Sequence, residues 1–182
     1  MIKLTVPLSQ DEILKLKSGD EVLLSGVIYT ARDAAHKRIL EDLQEGKEPP
    51  FKLENSVIYY VGPAPAMPGQ VIGSAGPTSS YRMDPYSIIL FKEKARISIG
   101  KGDRGQDFKE KLHENQGIYF SAIGGAAALI SRRIKKCDLI AYPELGAEAV
   151  YRLEIEDFPV IVTYDAHGGD LFQSGRRSFI KR

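Results

Sequence analysis

The chain has 182 residues, 43% of them hydrophobic and 27% charged, with a formal net charge of +1 at pH 7. That length suits one domain, and the composition excludes collagenous and disordered classes. The near balance of charge gives no electrostatic reason to expect a nucleic acid or an acidic membrane as partner. No apolar run reaches the ~18 residues that a membrane-spanning helix needs. Residues 1–7 lack the charged and apolar regions of a signal peptide. The single cysteine, Cys137, excludes an internal disulfide. Together these features lead us to expect a cytoplasmic protein in which Cys137 is a buried structural thiol at the start of a strand.

In chain order, residues 1–20 are expected to form a strand and a helix capped by Ser9, as a small N-terminal arm of a single domain spanning 1–182. Residues 21–29 read as a strand. The spacing by four of Ala35, Ile39 and Leu43 predicts a helix over 32–43. Residues 56–61 form a second apolar strand, and the prolines of 62–69 make a rigid loop. A short strand over 71–74 leads to a helix that begins near 75–80 and runs to Leu90, with Pro85 best placed in its first turn. A strand over 96–99 runs into the turn Gly100-Lys101-Gly102. A helix over 106–114 and a strand over 118–121 follow. After Gly124-Gly125 come a helix over 126–133 and strands over 138–142 and 160–164. The tail over 175–182 is basic and is expected to be solvated or to contact a partner. This alternation predicts an α/β fold with a partly parallel sheet.

Three stretches bear on chemistry. In Thr30-Ala31-Arg32-Asp33-Ala34-Ala35-His36, Thr30 and Asp33 resemble a capping box, with Asp in place of Glu or Gln. Arg32 falls at the helix start, where the helix dipole disfavours a cation unless an anion lies between. His36 shares the face of Arg32 and is either a packing residue or part of that site. In Gly76-Pro77-Thr78-Ser79-Ser80-Tyr81-Arg82-Met83-Asp84, hydroxyl groups arrive at a helix start, again with an arginine close by. Such hydroxyls are either caps or site groups. Lys101 stands between two glycines just past a strand and is either a solvated loop lysine or a site group; it resembles a phosphate loop only weakly, because the eight-residue Gly-to-Lys-Ser/Thr pattern is absent. Arg32, Arg82 and Lys101 each lie where a strand hands over to a turn or helix. In open α/β sheets ligands gather at such ends, so a pocket for a small polyanion is expected, carboxylate or phosphate alike.

These same residues carry a resemblance. Residues 31–38 resemble the ARDAAHKR signature of the class I, iron–sulfur fumarases, and residues 76–84 resemble the family's GPTTxxRMD block. Gly100-Lys101-Gly102, residues 120–128 and residues 154–159 continue the series in order, over nearly the whole chain. The resemblance implies the C-terminal domain or separate β subunit of that family. Its fold is a swivelling β/β/α domain with a parallel sheet, an antiparallel sheet and flanking helices. It implies reversible trans addition and elimination of water between fumarate and malate. It also implies a [4Fe–4S] cluster held by a partner α subunit with cysteines that this chain lacks. On that reading Arg32, Arg82 and Lys101 bind substrate carboxylates, Thr78 is the proton-abstracting base, and Asp33, His36 and Asp84 support them. Ser79, Tyr81 and Asp103 depart from the family's usual residues, and Tyr81 leaves substrate identity open. The β subunit of L-tartrate dehydratase fits the same motifs. A non-catalytic anion-binding module is the alternative of another class.

Overall fold

The protein is described by a computed structural model that covers residues 1–122 and 127–180, with side chains through 176 except those of Ala127 and Ala128. Strand β1 (Ile2–Val6) runs parallel to β2 (Glu21–Thr30), with Ile2 opposite Val22 and Val6 opposite Gly26. Between them, α1 (Gln10–Lys15) begins at a full capping box: Glu12 N–H donates to Ser9 Oγ and Ser9 N–H to the Glu12 carboxylate. Gly26 has φ +116°, and a Cβ there would stand 2.6 Å from Val6 O. Glycine at this position lets β1 close on β2.

β3 (Val57–Tyr59), β4 (Ile97–Gly100) and β5 (Ile118–Ala122) continue the parallel series from β2. The connections between these strands carry α2 (Asp33–Gln44), α3 (Asp84–Leu90) and α4 (Gln106–Glu114). β7 (Val150–Tyr164) lies antiparallel to both β2 and β5, and β6 (Ile134–Ala141) lies antiparallel to β7. Tyr29 pairs with Ile58 and with Arg152, so β3 and β7 occupy opposite edges of β2. Val160 pairs with Val22 and with Ala122, so β2 and β5 occupy opposite edges of β7. The pairings therefore close a ring, β2–β3–β4–β5–β7. The mixed α/β class predicted from the sequence holds. Its parallel and antiparallel portions are joined by β7 into one seven-stranded sheet in the order β1-β2-β3-β4-β5-β7-β6.

The strands alternate between two apolar cores. Val57, Tyr59 and Val61 enter one with Ile99, Phe120 and Phe158, whereas Ile58 and Tyr60 enter the other with Ile39, Met83 and Phe108. Burial on both faces explains why 57–61 reads as a continuous apolar run.

Several expectations need correction. No strand forms over 71–74: Gly73 N–H donates to Ala64 O and Ala64 N–H to Ser74 O, folding the loop on itself. The helix expected up to Leu90 is in two pieces, a 3-10 turn over Ser80–Met83 and then α3, with Pro85 in the first turn of α3. Cys137 is half-buried inside β6, opposite Leu153, because β6 starts before residue 138. β7 starts far before residue 160, since Arg152, Glu154, Glu156 and Pro159 interrupt its apolar signal. α5 (Ala127–Arg132) matches the helix expected over 126–133, and Gly124-Gly125 lies outside the described residues. The basic tail begins within α6 (Leu171–Ile180), and its side chains from 177 onward lie outside them too.

Candidate functional site

β2, β3 and β4 are neighbours in the sheet and parallel, so the segments that leave their carboxyl ends meet at one end of the domain. Thr30 closes β2, but it does not cap α2. Its hydroxyl donates to Ala149 O at 3.2 Å and accepts Tyr151 N–H at 2.9 Å, tying β2 to the start of β7. The cap of α2 is Arg32, which makes no side-chain capping bond, so the Thr30–Asp33 capping box is corrected. The Arg32 guanidinium runs over Gly62, where a Cβ would stand 2.8 Å from Nη1. Its Nε lies 3.1 Å from Glu148 Oε1, an ion contact without hydrogen-bond alignment, and both side chains are about a quarter exposed.

His36, one turn further, is buried and sits 5.6 Å from the ring of Tyr60 and 5.8 Å from that of Tyr86. Its Nδ1 faces Arg32 O at 2.8 Å and therefore carries the proton. Its Nε2 has no partner among the described residues. Burial pushes its pKa down to about 4; the bond to Arg32 O opposes this and the charge of Arg104 adds to it. His36 is thus a neutral group that orients the start of α2.

Thr78 is held beyond β3 by its N–H, which donates to Tyr60 O at 2.8 Å. Arg82 Nη2 donates to Thr78 Oγ1 at 3.1 Å and lies 3.3 Å from Asp33 Oδ2. Three of the residues singled out in the sequence, Asp33, Arg82 and Thr78, thus form one row between α2 and the 3-10 turn. Thr78 is not the cap of the 3-10 turn: that position is Ser79, which has no side-chain capping bond. Lys101 leaves β4 alongside this row. Its N–H donates to Ser80 Oγ at 2.9 Å, and Ser80 N–H donates back to Lys101 O at 3.1 Å. Its side chain is exposed and makes no ion pair among the described residues. Tyr81, which departs from the family pattern, is 63% exposed beside Arg82.

Asp84 turns away from the row. One carboxylate oxygen accepts from Arg104 Nε and the other from Gly105 N–H at 2.7 Å. Sequence reasoning passed over Arg104, because charged residues are rarely buried and a Gly-flanked arginine reads as a solvated loop. Burial works against its charge; Tyr60, Asp84 and Tyr119 outweigh that and hold the guanidinium above its ordinary pKa. A separate cleft of about 540 Å³ lies between α4 and the start of α6, lined by Lys109, His113, Asp165 and Asp170 among others, and contains none of the predicted site residues.

Cations and a hydroxyl beyond parallel strand ends make this an α/β domain with a polar, partly solvated end suited to a small anion. The profile of the Fumarase C-terminus family matches residues 1–175, and the chain belongs to that family. It is 41% identical over 152 residues to the class I anaerobic fumarate hydratase of Escherichia coli, covering 82% of this chain and 28% of that protein. It is 39% identical over 157 residues to fumarate hydratase 2 of Leishmania major, covering 85% and 28%. It is 37% identical over 172 residues to a putative L(+)-tartrate dehydratase subunit beta of Methanocaldococcus jannaschii, covering 91% of this chain and 88% of that one. The chain thus spans under a third of these fumarate hydratases.

Proposed function

We propose that this chain acts as the β subunit of a two-chain [4Fe–4S] fumarate hydratase, which adds water reversibly across fumarate to give malate. The row Asp33–Arg82–Thr78 carries the reading, because it puts a hydroxyl against a guanidinium where a carboxylate substrate would be gripped. The two-chain arrangement is supported by the near-complete match to a protein named as a β subunit. Identities of 41% and 39% to two fumarate hydratases, against 37% to the tartrate dehydratase subunit, favour fumarate.

The residues present do not fit a cluster. Such clusters are held by several cysteine thiolates, this chain has one cysteine, and no group of three or more His, Cys, Asp or Glu among the described residues could hold a metal ion. The cluster, and the Lewis acid it provides, would come from a partner chain.

This chain's own residues supply the grip and the base. Arg32 and Arg82 can each take a carboxylate with two parallel hydrogen bonds, and Lys101 adds a point charge. Held there, the substrate would present its C–H to Thr78 Oγ1. Arg82 N–H donation to that oxygen favours its alkoxide form, which is the form able to accept a proton. In the dehydration direction the electron pair left on carbon would spread into a carboxylate already facing fixed cations, and its return would form the double bond as the C–O bond on the neighbouring carbon breaks, the hydroxyl leaving as water with the proton that Thr78 took up.

The β subunit of L-tartrate dehydratase is the second reading, favoured by the same match in length. Coexpression with a cluster-bearing chain, followed by anaerobic assay on fumarate, malate and both tartrates, tests the proposal. Turnover of fumarate by the pair and not by either chain alone is expected. Preferential turnover of a tartrate would shift the assignment to the second reading. A cluster-loaded, active preparation of this chain alone would overturn the two-chain proposal.

A further inference from the structure

We propose that Arg104 and Asp84 are positioning residues for substrate binding: their buried ion pair locks the loop carrying Lys101 to the turn carrying Thr78 and Arg82, fixing the spacing of the cations. This rests on the reading that those cations bind a dicarboxylate.

The two segments come from different crossovers, and their backbones meet at a single parallel bridge, where Ser80 N–H donates to Lys101 O, among the described residues. Asp84 lies two residues after Arg82 and opens α3. Arg104 lies three residues after Lys101, just before α4. Arg104 Nε donates to one Asp84 oxygen, Gly105 N–H donates to the other at 2.7 Å, and Arg104 Nη2 reaches Ser87 Oγ at 3.4 Å. The guanidinium lies over the ring of Phe108 at 3.4 Å, with Tyr119 and Tyr60 at 5.0 and 5.2 Å. The Arg104 side chain is 0% exposed and that of Asp84 15%.

A second set of ties converges on the same junction. Tyr119 OH donates to Ser80 Oγ at 3.0 Å, and that oxygen also accepts Lys101 N–H. Gly100 leaves no room between the segments, because a Cβ there would collide with Ser80 Oγ.

Energetics point away from a purely stabilising role. Taking a guanidinium and a carboxylate out of water is costly, and apolar residues of similar volume commonly hold a fold as well or better. What the ionic pair adds is one defined geometry. Lysine cannot reproduce it, since it lacks the planar fork that bonds in two directions while stacking on a ring.

The test is made on the enzyme assembled with its cluster-bearing partner. Succinate, which has neither the hydroxyl nor the double bond, serves as an inert dicarboxylate probe. Arg104→Lys and Asp84→Asn should each raise the Kd for succinate and the KM for fumarate about tenfold or more, measured well below their melting temperatures. Ile13→Ala, in the other core, is the control for lost stability and should leave both constants unchanged. Amide hydrogen exchange at Lys101 should quicken in Arg104→Lys and not in the control. Wild-type constants in both Arg104→Lys and Asp84→Asn would overturn the inference while leaving the functional reading intact. An equal rise in the Ile13→Ala control would also overturn it, by showing a general loss of stability. A wild-type complex that neither binds succinate nor turns over a dicarboxylate would remove the functional reading, and this inference with it.

Discussion

A threonine hydroxyl is a weak base until its surroundings favour the alkoxide, and at Thr78 the surroundings are a guanidinium 3.1 Å away. Thr78→Ala should lower kcat by about 10²–10⁴-fold, the scale of general-base catalysis. Because Thr78 caps no helix, its loss should leave stability within about 0.5 kcal/mol. Thr78→Ser should retain part of the activity. Urea melts alongside kcat separate the two roles, and unchanged exchange of the substrate's carbon-bound proton with solvent deuterium in Thr78→Ala would place the base at another residue. His36 carries a different prediction. It titrates near 4 when folded and near 6.5 when unfolded. Between those values the unfolded chain binds a proton that the folded chain does not. Stability therefore falls as pH drops through that window, by at most about 3 kcal/mol, and this contribution is fully present above pH 7. His36→Asn keeps a donor for Arg32 O and should flatten that dependence. Urea midpoints at pH 7 and pH 5 read the difference, and equal slopes in variant and wild type would contradict the assignment. At this scale the sequence marks Arg32, Arg82 and Lys101 as charged residues where strands hand over to turns or helices, and the structure sets Arg82 against Thr78 and Asp33. The sequence is silent on Arg104, whose inward direction depends on Asp84 from another crossover.

The parallel strands were readable because their apolar runs are buried on both faces and bounded by turn residues. The first part of β7 was not, because its outer face carries Arg152, Glu154 and Glu156 against solvent and β6. Nor was the role of Thr30. Its sequence neighbours suggest a cap, whereas its partners Ala149 and Tyr151 come from the far end of the chain. Thr30→Val should cost about 1–3 kcal/mol, the usual result of leaving buried backbone groups unpaired, and should lower the urea midpoint accordingly. An unchanged midpoint would mean that those groups find other partners. Gly100→Ala is sharper. Besides Ser80 Oγ, its new methyl would stand 2.9 Å from the Tyr60 ring. Overpacking of this kind should cost about 1–3 kcal/mol and separate β4 from the turn at Ser80, so dicarboxylate affinity should fall along with stability. Isothermal titration with succinate checks this, and wild-type affinity in Gly100→Ala would show that the junction tolerates movement.

For the molecule as a whole, β7 matters most. By pairing with β2 and β5 it closes the ring in which the carboxyl ends of β2, β3 and β4 lie side by side. Arg32, Thr78, Arg82 and Lys101 are offered there on short segments, partly open to solvent. Fumarate hydratase relatives carry this region as under a third of a longer chain, and a tartrate dehydratase relative carries it as nearly a whole subunit. The central claim is that this chain grips the dicarboxylate for a cluster held elsewhere. The most direct measurement of it is kcat/KM for fumarate in a complex of the cluster-bearing chain with Arg82→Lys, at cluster content equal to wild type. We predict a loss of about 10²-fold or more, because lysine replaces the bidentate fork with a point charge and misplaces the substrate. A wild-type kcat/KM in that complex would contradict the claim.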